Sequence, residues 1–81
     1  MSNELKSASS VKTGKKFSEK RNNIGCTIEE VSEKLFINKD YISAIETGNY
    51  SIFPSESFAK AYFNKYKNFL KISSEFPSLF D

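Results

Sequence analysis

The residue types that most often carry covalent chemistry are scarce in this 81-residue chain, which has no histidine and one cysteine, Cys26. A Ser/His/Asp triad, a Cys/His dyad and a Cys/His zinc site are therefore impossible within it. Glu29, Glu30 and Glu33 have the spacing of a solvated helix face rather than of a catalytic pair. We interpret Cys26 as a small apolar residue at a helix boundary. We expect no enzyme, no cofactor and no bound metal.

Aromatic residues near the C-terminus are the first candidates for noncovalent binding. Successive helical residues are about 100° apart, so the segment 56–71 presents two neighbouring apolar stripes. The first stripe, which a small core can cover, contains Ala59, Phe63, Tyr66 and Leu70. The second stripe contains Phe58, Tyr62, Lys65 and Phe69. We predict that these four residues bind a protein partner, with Phe58 and Tyr62 partly exposed as aromatic anchors and Lys65 meeting acidic groups. The alternative is that the helix lies in a groove and buries both stripes.

Asn38, Lys39 and Ser43 are the second group of candidates, because their side chains could contact DNA at base edges or phosphates. Asn38 and Ser43 also have simpler roles, as a helix cap and as a solvated helix residue. The N-terminal cations offer salt-sensitive, non-specific contact with nucleic acid or anionic lipid. These cations are Lys6, Lys12, Lys15, Lys16, Lys20 and Arg21.

One small all-α domain must position these candidates, since a second core would need roughly another hundred residues. Apolar spacing and capping residues predict four main helices, at about 14–24, 28–35, 39–47 and 56–71. We predict that residues 1–12 form a disordered arm, because their few aliphatic side chains cannot offset the entropy of ordering. The domain itself is predicted to span residues 13–81, with a possible short C-terminal turn around Pro77.

The middle of the chain has the spacing of a helix-turn-helix. Thr27 and Glu30 fit a capping box, and Asn38 offers a cap for the second helix. Ser32 is small enough to let two helices cross closely. The apolar positions that follow this pattern are Ile28, Val31, Leu35, Ile37, Ile42 and Ile45. A generic three-helix bundle is the alternative interpretation.

Several motifs resemble one protein family across roughly residues 13–72. They include Gly14, Phe17, Arg21 and Gly25, the segments TIEEVSEKL and AIETGNY, and the block FPSESFAKAYFNKYKNFL. With these motifs the sequence resembles the N-terminal cytoplasmic domain of RodZ, the cell-shape protein of rod-shaped bacteria. The proline followed by a long aromatic-rich helix is the most specific part of the resemblance. The family usually has smaller residues where Lys20, Ser32 and Ala61 stand here.

The resemblance implies a cytoplasmic adaptor that binds the bacterial actin homologue MreB instead of DNA. It also implies that the aromatic residues Phe58 and Tyr62 contact MreB, and that the full protein carries a transmembrane segment tethering this domain to the inner face of the cytoplasmic membrane. No apolar stretch here approaches the roughly 20 residues that a membrane span needs. We therefore expect either a domain of a longer membrane protein or a free-standing soluble relative.

The charge distribution also bears on the choice between DNA and protein as partner. The net charge is +4 over residues 1–25, −3 over residues 26–53 and +1 over residues 54–81. A helix that enters the DNA major groove needs flanking cations to neutralise phosphates. The second helix of the predicted motif has Asp40 and Glu46 but only Lys39. We predict protein binding, with repressor-like DNA binding as the alternative function.

Overall fold

Four helices make up the regular structure of the domain. A computed structural model describes residues 6–79 of the chain. Its helices are α1 (Ala8–Asn23), α2 (Ile28–Leu35), α3 (Lys39–Thr47) and α4 (Glu56–Leu70). Within the described residues the only β-pairing is an isolated antiparallel bridge between Lys6 and Asn49. The predicted all-α fold is confirmed, and the predicted bounds of α2 and α3 agree with the structure.

Helix α1 begins earlier than predicted, and the reason is hydrogen bonding by serine. Ser7 and Ser10 form a reciprocal capping box, with N···O distances of 2.8 and 3.0 Å. The Ser10 hydroxyl donates to the carbonyl oxygen of Gly48 at 2.7 Å, and the Ser7 hydroxyl donates to that of Ser78 at 2.5 Å. The prediction of a disordered arm is therefore wrong for residues 6–12, while its residues 1–5 lie outside the described part of the chain.

Two glycines let α1 and α3 approach closely. A Cβ atom on Gly14 would clash with the backbone carbonyl of Glu46. A Cβ atom on Gly48 would lie 2.6 Å from the Ser10 backbone, and the φ angle of +79° at Gly48 also favours glycine. The backbone of α1 thus rests directly on the C-terminal end of α3.

The core is apolar and rich in aromatic rings. The ring of Phe17 lies 5.0 Å from that of Phe63 and 5.1 Å from that of Tyr66, which joins α1 to α4. Ile24 is 45% exposed, because it lies just past the end of α1. The buried core residues are Phe17, Val31, Leu35, Ile37, Ile42, Ala44, Ile45, Tyr50, Phe53, Ala59, Phe63, Tyr66 and Leu70.

The C-terminal tail folds back onto this core without forming a helical turn. Residues 72–78 have no regular structure, yet Phe76 packs against Tyr50 and Phe63 at ring distances of 5.3 Å. Pro77 is buried. The predicted short turn is therefore absent from the described residues, but Phe76 and Leu79 both pack against the core. Phe80 lies outside the described part of the chain.

The N-terminal cap of α2 provides a test of the predicted motif. The Thr27 hydroxyl accepts a hydrogen bond from the Glu30 amide at 3.1 Å, and the Glu30 carboxylate accepts one from the Thr27 amide at 2.8 Å. We expect Thr27→Ala to lower the free energy of unfolding by about 1 kcal/mol, because one amide of α2 loses its acceptor. Thermal denaturation measures this loss, and Thr27→Ser, which keeps the hydroxyl, is the control. Equal midpoints for the alanine variant and the wild type would contradict the prediction.

Over residues 6–79, every helix is too short or too polar to cross a bilayer.

Candidate partner-binding site

Four aromatic rings meet where the N-terminal ends of α3 and α4 approach each other. The ring of Tyr41 lies 4.8 Å from that of Phe53, 5.5 Å from that of Phe58 and 5.4 Å from that of Tyr62. The rings of Phe58 and Tyr62 are 4.6 Å apart. Phe53 is buried beneath the group, whereas Tyr41, Phe58 and Tyr62 are half-buried. We call these four residues the Tyr41 cluster.

Two helix caps and a loop position the Tyr41 cluster. Ser55 caps α4 by accepting a hydrogen bond from the Phe58 amide at 3.1 Å, which fixes the first turn of that helix. Asn38 caps α3 and places Tyr41 in its first turn. Phe53 comes from the connecting loop, where Pro54 keeps the chain out of helix before α4 begins. The cluster therefore depends on residues that are far apart in the sequence.

The predicted aromatic stripe is divided by the structure. Phe58 and Tyr62 join the cluster, and Lys65 is exposed one turn further along α4. Phe69 is half-buried against the core and lies about 10 Å along the helix from Tyr62, given a rise of 1.5 Å per residue. Tyr41, next to the buried Ile42, is half-buried at the edge of the apolar face of α3. The only feature of the sequence that could have indicated Tyr41 as part of the site is its position beside the apolar face of α3.

The DNA-binding candidates lie together at the start of α3. The Asn38 side chain is used as a cap, since its Oδ1 atom accepts a hydrogen bond from the Asp40 amide at 2.8 Å. Lys39 and Ser43 line a shallow depression that also contains the carboxylates of Glu29 and Asp40. Carboxylates at this position oppose the approach of phosphate groups.

A buried ion pair connects three helices behind this depression. The Arg21 guanidinium on α1 donates to both carboxylate oxygens of Glu46 on α3, at 2.6 and 3.0 Å. The Tyr66 hydroxyl on α4 donates to the same carboxylate, and Arg21 also donates to the carbonyl oxygen of Cys26 at 2.9 Å. Only 12% of the Arg21 side chain and 7% of the Glu46 side chain are exposed.

This ion pair changes the electrostatic interpretation of the sequence. The hydrogen bonds that Arg21 donates to Glu46 raise the pKa of Arg21, and burial raises the pKa of Tyr66, with a further increase from Glu46. Arg21 is therefore not a free cation of a basic arm. The charge of Glu46 is likewise paired, so the exposed negative charge of the helix-turn-helix comes from Glu29, Glu30, Glu33 and Asp40.

Comparison with known proteins agrees with this architecture. A family described as a helix-turn-helix domain matches residues 17–76, from the core of α1 to the returning tail. No curated protein gives a significant match. Helix-turn-helix domains are modules that bind nucleic acid or protein. Since the match covers most of the sequence and the helices that it requires are present, the chain belongs to the helix-turn-helix domain family.

Proposed function

We propose that this domain is a cytoplasmic adaptor that binds the bacterial actin homologue MreB through the Tyr41 cluster and Lys65. In the full-length protein it would couple MreB to the membrane and help to maintain rod shape. The observation that carries the proposal is the group of three half-buried rings, Tyr41, Phe58 and Tyr62, at one end of α4. The resemblance to RodZ supplies the identity of the partner and the membrane tether.

Partly exposed aromatic rings favour a protein partner. Tyrosine and arginine, with tryptophan, are the residues that dominate binding energy at protein interfaces, and such anchors sit in well-packed surroundings. The rings of Tyr41, Phe58 and Tyr62 pack against one another, so their orientations are already restricted in the unbound protein. This preorganisation lowers the entropy cost of binding. Lys65 adds an exposed cation at the rim, which suits an acidic group on the partner.

Specific DNA binding is the less favoured function. A major-groove reader needs free polar side chains and flanking cations at the start of its second helix. Here Asn38 caps α3, and Glu29 and Asp40 accompany Lys39 in the depression. We expect binding to duplex DNA no tighter than the roughly 10⁻⁴ to 10⁻⁶ M of non-specific contact.

The proposal predicts that Tyr62→Ala weakens MreB binding by about 2 kcal/mol or more, a roughly thirtyfold change. Tyr62→Ala also removes ring contacts with Tyr41 and Phe58, so it is expected to lower stability as well as binding. Lys65→Glu is therefore the companion variant, since Lys65 is exposed and its replacement leaves the core intact. We expect Lys65→Glu to weaken binding several-fold, with a dependence on salt concentration.

Co-sedimentation with MreB filaments measures the binding, and circular dichroism melting of the same proteins measures the fold. Lys20→Glu is the matched control, because it makes the same charge change on the exposed face of α1. We expect this control to bind like the wild type. Wild-type protein that stays in the supernatant, or a nanomolar, sequence-selective complex with DNA, would overturn the proposed function.

A further inference from the structure

Phe36, in the turn of the helix-turn-helix, is the most exposed large apolar residue in the described part of the chain. Its side chain is 89% exposed, and its backbone is left-handed, with φ of 56°. Its amide closes α2 by donating to the carbonyl oxygen of Ser32. Glycine or asparagine fills such a position with less strain, and any residue with an amide donates the same bond. Stability of the fold therefore does not explain why a phenyl ring stands at this position.

Phe36 lies close to the surface formed by the Tyr41 cluster. It stands two residues before Asn38, the cap of α3. On the other side of that cap, Ile52 is 49% exposed and lines a shallow depression with Asn38, Asp40 and Tyr41. Two exposed apolar side chains therefore flank the first turn of α3, and Tyr41 itself lies on that turn. Phe36 thus precedes by two residues the cap that lines the depression beside Tyr41.

The charges near this surface favour a protein as its occupant. Glu29 and Glu33 on α2 are exposed and form no ion pair with any residue of the described part of the chain. The exposed cations Lys34 and Lys39 balance these two carboxylates, so the surface lacks the excess of positive charge that binding to nucleic acid or an anionic membrane requires. A protein with an apolar pocket can accept the ring and leave the carboxylates at the solvated rim, where they cost little.

We propose that Phe36 is an additional anchor for the same partner, inserting its ring into an apolar pocket of the filament protein while the Tyr41 cluster is engaged. This inference rests on the proposed function and extends it to the turn of the helix-turn-helix. The partner then contacts both the turn and the start of α4. It therefore also covers the first turn of α3 and the neighbouring loop residue Ile52. That surface is the one a DNA-binding relative would use for bases.

Phe36 permits an unusually clean test, because removing its ring relieves backbone strain instead of emptying the core. We expect Phe36→Asn and Phe36→Gly to keep or raise the thermal midpoint while each weakens binding to MreB filaments at least tenfold. Phe36→Tyr, which keeps the ring, should retain most of the affinity. The matched control is Ile24→Asn, which removes another exposed apolar side chain at the opposite end of α2.

The outcomes separate this inference from the proposed function. Folded Phe36→Asn and Phe36→Gly proteins that bind as tightly as the wild type, while Lys65→Glu binds weakly, would overturn the role of Phe36 alone. Wild-type protein that fails to bind the filaments would overturn both. Weak binding by both folded variants, with normal binding by Ile24→Asn, supports the inference.

Discussion

Glu46→Ala is expected to lower the free energy of unfolding by about 3 to 5 kcal/mol, the usual cost of removing one partner from a buried ion pair. The variant leaves the Arg21 guanidinium buried without its carboxylate and removes the acceptor of the Tyr66 hydroxyl. Three helices lose a shared contact, because these residues lie on α1, α3 and α4. Urea denaturation followed by circular dichroism measures the change.

An exposed ion pair in the same protein provides the control for this prediction. Glu56 and Lys60 are 3.3 Å apart in an i,i+4 pair on α4, with 60% and 53% of their side chains exposed. Since exposed helical pairs contribute about 0.3 to 0.5 kcal/mol, Glu56→Ala should change stability only slightly. If the two alanine variants lost similar amounts of stability, the Arg21–Glu46 pair would have no special structural role.

Phe63→Ala is expected to have an effect of similar size, about 3 to 5 kcal/mol, for a different reason. The Phe63 ring is fully buried and packs against Phe17 and Phe76, so truncation leaves a cavity between α1, α4 and the tail. Small domains have total stabilities of roughly 5 to 15 kcal/mol, so a large fraction of this variant should be unfolded at moderate temperature.

Thermal and urea denaturation measure this loss, and Asn64→Ala is the matched control. Asn64 is the exposed neighbour of Phe63 on the same helix, so its truncation should change stability by at most about 0.5 kcal/mol. A Phe63→Ala protein as stable as Asn64→Ala would mean that the first stripe of α4 is not the core.

Capping chemistry explains why the helix-turn-helix could be predicted from the sequence. The Thr27 and Glu30 capping box, the Asn38 cap and the left-handed Gly48 are local signals, and each acts within a few residues. They mark where α2 and α3 begin and where α3 ends. The apolar spacing then identifies the inward faces, so Val31, Leu35, Ile37, Ile42 and Ile45 are buried as expected.

The errors arose where a residue depends on distant parts of the chain. Ser7 and Ser10 resemble residues of a disordered arm until Gly48 and Ser78 are brought beside them. The capping box there contains serine at its fourth position instead of the glutamate or glutamine of the usual pattern. The role of Tyr41 in the candidate site was missed for the same reason, because the rings that surround it come from a loop and from α4.

The hydrogen bond between Ser7 and Ser78 has a mechanical consequence. It joins the two ends of the described chain, and the bridge from Lys6 to Asn49 lies next to it. Tension applied between residues 6 and 79 would therefore act first on this junction and on the tail, which has no helical hydrogen bonds of its own. The tail also reaches the Tyr41 cluster, because Phe76 packs against Tyr50 and Tyr50 stacks on Phe53. A load that pulls the tail away would therefore remove one support of the aromatic surface.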